Sequence, residues 1–369
     1  MNNGFLNLIN NYNVNKNKQM YFDNDIQPFR IILDQARYPL NNLVEIFGGY
    51  ILDPSYQRNR VWDNRRKSRL IESLILNVPV PAVFLYESDY NKYEVMDGLQ
   101  RISTIMDFML DKFRLEGLDL YSNMNGLRYS QLPSDIQSSI NRRYLSATII
   151  LKESSAGNHT EEEMKQFIFE RLNTGGMELT AQEIRNAIYG GKFNDLLFKL
   201  SKYSKFKELV RLPIKSRLRM ADNELILRFF ALKNAIYSNM SFETKKLLDL
   251  FAKLSKNLDS YEVGSAEEYY CTILDIIYDI FGETAFTKGY TMRFERMIYD
   301  TLMLSISNII DVYGEEVFDE VSIDNLAMKK FEFFNENRDI FNGRETRFNN
   351  VLVRVDIFTT FLKREIGLG

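Results

Sequence analysis

The chain has 369 residues, more than a single hydrophobic core usually holds, so two domains are predicted. Its composition, 45% hydrophobic and 26% charged, is that of a globular protein and excludes a disordered or fibrous one. The net charge of −3 means that any basic binding surface must come from local clustering. A single histidine excludes sites that need two from this chain, and a single cysteine fits a reducing, cytoplasmic location.

The beginning of the chain predicts no structure of its own. Nine asparagines lie within residues 1–24, without the apolar run of a signal peptide, so residues 1–30 are expected to be a mobile arm. Apolar stretches elsewhere are too short to cross a bilayer, and no membrane association is expected.

Residues 31–190 mix helix and strand signals. Helices are predicted over Arg65–Leu76, from Gly98 to Met109 and from Pro133, and strands over Ala82–Tyr86, Tyr93–Met96 and Tyr144–Lys152. Two capping boxes, Thr160 with Glu163 and Thr180 with Glu183, each predict the start of a further helix. From residue 191 the strand signals fade and helical spacing dominates to residue 369. The predicted fold is therefore α+β, with an αβ domain followed by a helical domain.

Charge is unevenly distributed over the helical part. Residues 199–219 carry eight Lys or Arg against one acid, whereas residues 257–287 carry seven acids and no base. Two interpretations stay open: solvated faces that pack on each other, or a basic patch that contacts nucleic acid phosphates through Lys205, Lys207, Lys215 and Arg217.

A first cluster of residues suited to ligand binding runs from Tyr56 to Arg69. Six bases and one acid lie between residues 58 and 69, around the only tryptophan, Trp62. Guanidinium groups suit phosphate oxygens and an aromatic ring can stack a base, so Arg60, Arg65 and Arg66 are candidate DNA contacts. An ordinary amphipathic helix with its bases in water explains the pattern equally well.

A second cluster joins a predicted strand to a helix through Asp97-Gly98-Leu99-Gln100-Arg101. Gly98 allows close approach of the backbone, first-turn N–H groups lack intrahelical partners, and Arg101 adds a positive charge, which together favour anion binding. Ser103 or Thr104 would add a hydroxyl, and Asp97 would hold Mg²⁺ or orient water. A simple Asp-Gly turn is the alternative.

A third cluster extends from Phe169 through Asn173-Thr174-Gly175-Gly176 to Asn186. Two glycines after an asparagine permit a left-handed turn between two helices, whose side chains would close over a ligand. A helix end joined to a capped helix is sufficient without any ligand.

The ordered set Tyr56-Gln57-Arg58 with Trp62, then Asp97-Gly98-x-Gln100-Arg101, then Asn173-Thr174-Gly175-Gly176 with Glu183-Ile184-Arg185-Asn186 resembles the DGQQR-motif domain. That domain forms the N-terminal part of GmrSD-type restriction systems and is similar to the ParB/sulfiredoxin superfamily. The resemblance covers about residues 40–190. It implies a ParB-like core that binds a nucleoside triphosphate with Mg²⁺ and, in some branches, hydrolyses it to control DNA cleavage.

Carried onto this sequence, the resemblance makes Asp97, Gly98, Gln100 and Arg101 the phosphate and hydrolysis motif, with Asp97, Gln100 and Arg101 as the catalytic candidates. Nucleotide phosphates would contact the following residues: Gln57, Arg58, Gly98, Ser103, Thr104, Asn173 and Gly176. The family's first Gln is Leu99 here, a departure that would affect hydrolysis and leave phosphate binding intact. Sulfiredoxin chemistry is not expected, because Cys271 lies in an acidic, apolar helix far from this loop.

The resemblance implies a sensor or regulatory protein of a phage-defence system, with DNA, a separate nuclease subunit and a second copy as partners. The family's HNH nuclease domain has no counterpart, because His159 stands alone in a polar loop. Two alternatives stay open: a non-catalytic module that binds a DNA phosphate or a modified base, and a metal-dependent nuclease without histidine ligands.

Overall fold

A computed structural model describes residues 4–15, 31–48, 50, 62–155, 160–172, 180–238, 243–288, 292–319, 323–341 and 348–368. The chain divides into two compact units, which we call the αβ unit (Asp23–Leu179) and the helical unit (Met1–Phe22 with Thr180–Gly369). The predicted α+β fold is confirmed. Within the described residues, no helix is long and apolar enough to cross a membrane.

In chain order the helices and strands are α1 (Leu8–Asn15), β1 (Leu33–Pro39), α2 (Leu43–Gly48), α3 (Asn64–Ile75), β2 (Val83–Asp89), β3 (Lys92–Asp97), α4 (Leu99–Met109), α5 (Ser134–Asn141), β4 (Tyr144–Ile150), α6 (Glu161–Leu172), α7 (Ala181–Ile188), α8 (Lys192–Leu200), α9 (Ser204–Leu209), α10 (Ile214–Arg217), α11 (Ala221–Ser238), α12 (Thr244–Ser255), α13 (Ser260–Phe281), α14 (Arg296–Tyr313), α15 (Ile323–Glu336) and α16 (Phe348–Glu365).

A four-stranded mixed sheet with the order β1-β4-β2-β3 organises the αβ unit. β1 pairs antiparallel with β4, β4 runs parallel to β2, and β2 and β3 form a hairpin. The hairpin register places Asp97, the last residue of β3, opposite Phe84 near the start of β2. The carboxyl end of β3 therefore lies beside the first residues of β2.

α3 covers one face of this core, as its apolar spacing predicts. Leu70, Ile71, Leu74 and Ile75 are all buried and pack with residues of α4 and the sheet. The helix begins directly after Asp63, whose carboxylate accepts the Arg66 backbone N–H at 2.7 Å. That N-cap fixes where α3 starts, next to Trp62.

The polar side of α3 holds the long connection between α4 and α5 in place. Glu72 is 6% exposed, and its carboxylate accepts the backbone N–H groups of Asp119, Leu120 and Tyr121 at 3.3, 2.8 and 3.1 Å. Burial alone would raise the pKa of Glu72, but these three hydrogen bonds outweigh it and hold the pKa below its usual value.

Glu72→Gln is expected to destabilise the αβ unit by about 2 kcal/mol, because a neutral amide accepts hydrogen bonds more weakly than a carboxylate. Since the folded pKa of Glu72 is lowered, the carboxylate stabilises the fold above its ordinary pKa and loses this effect as the pH falls. Urea unfolding at pH 7 and pH 4 measures both effects. Glu116→Gln, at an exposed position of the same connection, is the control; equal midpoints for the two variants would contradict the anchoring role.

α11 is the central element of the helical unit, with 12 of its 18 residues buried. Two of its buried basic side chains pair with acids of α14: Arg228 Nε donates to both oxygens of Asp300 at 2.9 and 2.8 Å, and Lys233 Nζ lies 2.6 Å from Asp311. These pairs fix the rotation of α11 against α14, because a buried charge without its partner is strongly unfavourable.

Three of the eight bases in residues 199–219 pair with acids of residues 257–287, as the first of the two interpretations predicts. Lys205 lies 3.2 and 3.3 Å from Asp275 and Asp279, and Arg211 pairs with Glu283. Lys199 contacts Glu267 further along α13. Lys207 and Lys215 are exposed, with no ion pair in the described part of the chain.

Lys330 on α15 is fully buried without a carboxylate partner among the described residues. Its ammonium donates to the carbonyl oxygens of Thr284 and Ala285 at 2.7 and 2.9 Å and lies over the Phe331 ring. Burial lowers the pKa of Lys330 to about 7.

The stability of the helical unit is expected to rise with pH above about 7, through the range in which the unfolded Lys330 still binds a proton. Below pH 7 both states are protonated and the cost of burying the charge is present in full. Urea midpoints between pH 7 and 10 should rise less in Lys330→Met than in the unaltered chain. The exposed Lys202→Met is the control; identical slopes in all three proteins would refute a titration at Lys330.

The structure differs from the sequence expectations at the N-terminus and at the domain boundary. Residues 4–15, predicted as part of a mobile arm, pack on the helical unit because Phe5, Leu6 and Ile9 are buried there. α7, placed by the sequence in the αβ domain, belongs to the helical unit, which begins at Thr180. β1 has no predicted counterpart, because its mostly exposed residues lack the alternation of a half-buried strand.

Candidate functional site

The junction between β3 and α4 is a tight left-handed turn. Gly98, the N-cap of α4, has φ of +98° and no side-chain cap. A Cβ atom there would lie 2.4 Å from Val83 Cγ1 and 2.8 Å from Val83 Cβ. Only glycine therefore allows the chain to turn this close to β2, and the turn leaves the first N–H groups of α4 without intrahelical partners.

Arg101 is fixed at this junction by two contacts. Its Nη2 donates to Asp97 Oδ2 at 2.6 Å and to the Ala82 carbonyl oxygen at 3.3 Å. The Arg101 side chain is 16% exposed and that of Asp97 53%. Arg101 Nε is buried and has no hydrogen-bond partner among the described residues. The pair thus holds a guanidinium at the start of α4 and offsets part of its charge.

Gln100 connects this junction to α3. Its Oε1 accepts the Trp62 backbone N–H at 3.1 Å, so the N-termini of α3 and α4 lie side by side. The first turn of α3 carries Arg65 and Arg66 and no acid, although cations are unfavourable at a helix N-terminus. The Arg66 guanidinium lies over the Trp62 ring, 5.6 Å from its centroid. Two helix N-termini and three arginines therefore lie around Trp62 and Gln100, and the carboxylates of Asp63 and Asp97 offset part of their positive potential.

Three further residues of α4 are turned to the helix or the core. The Ser103 hydroxyl donates to the Leu99 carbonyl oxygen at 2.7 Å. Thr104 is fully buried, and its hydroxyl has no hydrogen-bond partner within the described part of the chain. Leu99, which replaces the family's first Gln, is 8% exposed and belongs to the core. Position 99 therefore serves packing in this chain.

Five predicted site residues lie outside the described residues: Gln57, Arg58, Arg60, Asn173 and Gly176. Trp62 directly follows the segment that carries Gln57 and Arg58. The hydrogen bond from Trp62 to Gln100 thus joins the first two sequence motifs at their described ends.

The end of the third motif has a structural role in the helical unit. Thr180 and Glu183 form the predicted capping box at the start of α7. Arg185, 3% exposed, is held by Asp249 at 2.7 Å and by Glu224 at 3.3 Å. The Glu-Ile-Arg-Asn sequence therefore packs α7 against its neighbouring helices.

The residues predicted to contact DNA differ in whether their side chains are free to reach a phosphate or are engaged within the protein. Arg65 is exposed and its stem lies over Gly117, where a Cβ would come within 3.1 Å of Cγ. Lys205 is engaged by the carboxylates of α13, and Arg217 donates to the Val210 carbonyl oxygen at 2.8 Å.

Metal and thiol chemistry have little support in the described residues. No group of three or more His, Cys, Asp or Glu side chains there is placed to hold a metal ion. Asp97 brings one carboxylate to the junction, and one of its oxygens is engaged by Arg101, so the described residues of the junction supply a single carboxylate for Mg²⁺. Burial, with Asp275 and Glu267 nearby, raises the pKa of the Cys271 thiol to about 11, consistent with the predicted inert thiol.

The fold and the junction define an α+β protein with a left-handed strand-to-helix turn beside a fixed arginine. Residues 40–190 match the family model described as the N-terminal domain of the GmrSD restriction endonuclease. The match supports a domain of the GmrSD-type restriction-system family over this part of the chain, as the motifs predicted. It includes the whole β3–α4 junction and α7. Comparison with curated proteins and with solved structures finds no significant match.

Proposed function

We propose that the β3–α4 junction binds the phosphates of a nucleoside triphosphate and that the chain acts as a sensor or regulatory protein of a restriction or phage-defence system. The match over residues 40–190 supports a restriction or phage-defence system. The site is carried by one observation: the Trp62–Gln100 hydrogen bond sets the N-termini of α3 and α4 side by side. The α4 terminus, which has no side-chain cap, presents N–H donors and about half a positive charge, which contributes roughly 0.3–1 kcal/mol toward an anion. At the α3 terminus the Asp63 carboxylate already accepts one N–H and offsets part of that charge.

Each side chain at the junction has a separate proposed role in binding the triphosphate. Arg101 supplies a full positive charge. Its fixed guanidinium can stabilise the negative charge that develops on the phosphate oxygens while the phosphoryl group is transferred to water. Gln100 uses Oε1 to accept from Trp62, which leaves its Nε2 donors for a phosphate oxygen. Mg²⁺ would enter as the nucleotide complex, with Asp97 as its one carboxylate at this junction. A ParB-like core is the corresponding proposal for the fold, supported by the Gly-x-x-Arg start of α4 beside β2.

DNA association is proposed through the first turn of α3. Arg65 and Arg66 are exposed there, and their guanidinium groups suit phosphate oxygens, with the Asp63 carboxylate as the one acid at this terminus. Cleavage would then be performed by a separate nuclease subunit.

Thermal unfolding tests the proposal. ATP, GTP, CTP and UTP at millimolar concentration, each with and without Mg²⁺, should include at least one that raises the melting temperature by several degrees, because a ligand of the folded state stabilises it. Phosphate release in the same mixtures, with and without DNA, separates hydrolysis from binding. If no triphosphate shifts unfolding, while a DNA duplex binds with a steep salt dependence, a DNA-binding module replaces the nucleotide sensor.

A further inference from the structure

A row of four residues crosses the sheet of the αβ unit and ends at the β3–α4 junction. Gln35 of β1 lies opposite Thr148 of β4, which in turn lies opposite Phe84 of β2. Phe84 lies opposite Asp97, the last residue of β3. Residues directly opposite each other in a sheet project from the same face, and three strand spacings of about 4.8 Å make the row about 14 Å long. One face of the sheet therefore carries a continuous row that begins at the proposed phosphate site.

This row is the open part of its face. One step further along β2 and β4, Tyr86 and Ile150 are 0% and 2% exposed, and the Lys165 ammonium of α6 lies over the Tyr86 ring, 4.7 Å from its centroid. The row members on β2 and β4 are half-buried, and the member on β1 is exposed. α6 thus covers the far half of this face, and the half next to the junction stays accessible to solvent.

The Arg101 guanidinium lies at the junction end of the row. Its Nη2 donates to the Asp97 carboxylate and to the carbonyl oxygen of Ala82, two residues before Phe84. The same guanidinium therefore borders both the start of α4 and the first members of the row. A triphosphate whose phosphates bind at the start of α4 can extend its ribose and base over Phe84 toward Gln35.

The chemistry of the row suits an uncharged flat ring with polar edges. Beyond Asp97 the row carries no charge, so it offers no cation to a further phosphate. Phe84 presents an aromatic ring, which stacks any nucleic acid base because every base has a π-face. The Gln35 amide and the Thr148 hydroxyl make no side-chain hydrogen bond within the described part of the chain, and both groups donate and accept. An amide can bond a base edge through two hydrogen bonds at once.

We propose that this row binds the base and ribose of the nucleoside triphosphate, with Phe84 stacking the base and Thr148 and Gln35 bonding its polar edge. The inference rests on the proposed phosphate site at the β3–α4 junction and extends it to the part of the nucleotide that distinguishes one triphosphate from another. Gln35, at the far end of the row, sets the preference among bases.

Inorganic tripolyphosphate separates the two parts of the site, because it carries the phosphates without a base or a ribose. Titration calorimetry of the full chain compares it with ATP, GTP, CTP and UTP. Phe84→Leu should weaken the preferred nucleotide about tenfold, the effect of losing a stacked base, and leave tripolyphosphate affinity unchanged. Arg101→Ala should weaken both kinds of ligand, because both place phosphates at the junction. Tyr90→Leu, at the exposed tip of the β2–β3 hairpin, is the control for the loss of an aromatic ring.

Gln35→Ala should narrow the preference among the four triphosphates by about threefold or more, the effect of losing hydrogen bonds to the base. Asn123→Ala, an exposed amide in the connection between α4 and α5, is its control. Because Gln35 is exposed, this variant decides the question if circular dichroism shows that Phe84→Leu fails to fold.

The outcomes separate this inference from the proposed function. Equal affinities for tripolyphosphate and for every nucleotide, or unaltered nucleotide binding in both Phe84→Leu and Gln35→Ala, would overturn the base site and leave the phosphate site standing. If neither tripolyphosphate nor any nucleotide binds, the phosphate site itself is wrong and the base site falls with it.

Discussion

Arg101→Ala and Asp97→Asn are expected to change the affinity for a triphosphate in opposite directions when Mg²⁺ is absent. Arg101 gives the junction its full positive charge, so its removal should weaken binding by about 30- to 100-fold, the effect of losing a hydrogen bond to a charged group. Asp97 lies 2.6 Å from Arg101 and offsets that charge. Its neutralisation should therefore strengthen binding by several-fold.

Titration calorimetry with and without Mg²⁺ measures both effects. It also shows whether Asp97 acts as a ligand of the metal. If Asp97 holds the metal of the nucleotide complex, Asp97→Asn should lose the gain once Mg²⁺ is added. Arg69 and Asp119 form an exposed ion pair in the same unit, 3.7 Å apart, and supply the matched controls Arg69→Ala and Asp119→Asn. Equal effects of Arg101→Ala and Arg69→Ala would show that a general loss of charge, rather than the junction, governs affinity.

Gly98→Ala is expected to destabilise the αβ unit by about 3 kcal/mol and to abolish triphosphate binding. A left-handed φ costs a residue with a Cβ about 1–2 kcal/mol, and overpacking of a core adds about 1–3 kcal/mol. The added methyl group would lie 2.4 Å from Val83 Cγ1 and 3.0 Å from Arg101 Nη2, so it would displace the guanidinium as well.

Gly126→Ala separates the two causes. Gly126 also has a positive φ, +85°, but a Cβ there meets nothing within 4 Å. It should show the conformational cost alone, about 1 kcal/mol, and unaltered triphosphate binding. Chemical unfolding of the two variants gives the comparison. Similar losses of stability in both would mean that the close approach to Val83 is unimportant.

Local patterns predicted the helices of this fold well, because their causes are local. The apolar face of α3 and both capping boxes are present as expected, since each depends on residues within a few positions of one another. β1 and the docking of residues 4–15 were not predicted. β1 is an exposed edge strand, and Phe5 is buried by helices more than 200 residues away, a contact that no local pattern reveals.

The candidate site was predictable in its parts but not in its assembly. The Asp-Gly turn with Arg101 follows from the sequence. The Trp62–Gln100 hydrogen bond does not, because it joins residues 38 positions apart. Ser103 and Thr104 were chosen for their hydroxyl groups, and helical geometry turns these to a carbonyl oxygen of the same helix and into the core. The charges of residues 199–219 could be interpreted in two ways until the acids of α13 were located beside them.

The most direct test of the central claim follows backbone amide signals by nuclear magnetic resonance while ¹⁵N-labelled protein is titrated with a triphosphate. The N–H groups at the start of α4 and the N–H of Trp62 should shift together and saturate with one affinity, because they surround the bound phosphates. Arg101→Ala should remove those shifts. Unchanged signals at Gly98, Leu99, Gln100 and Trp62, with shifts confined to residues 199–219, would contradict a phosphate site at the β3–α4 junction.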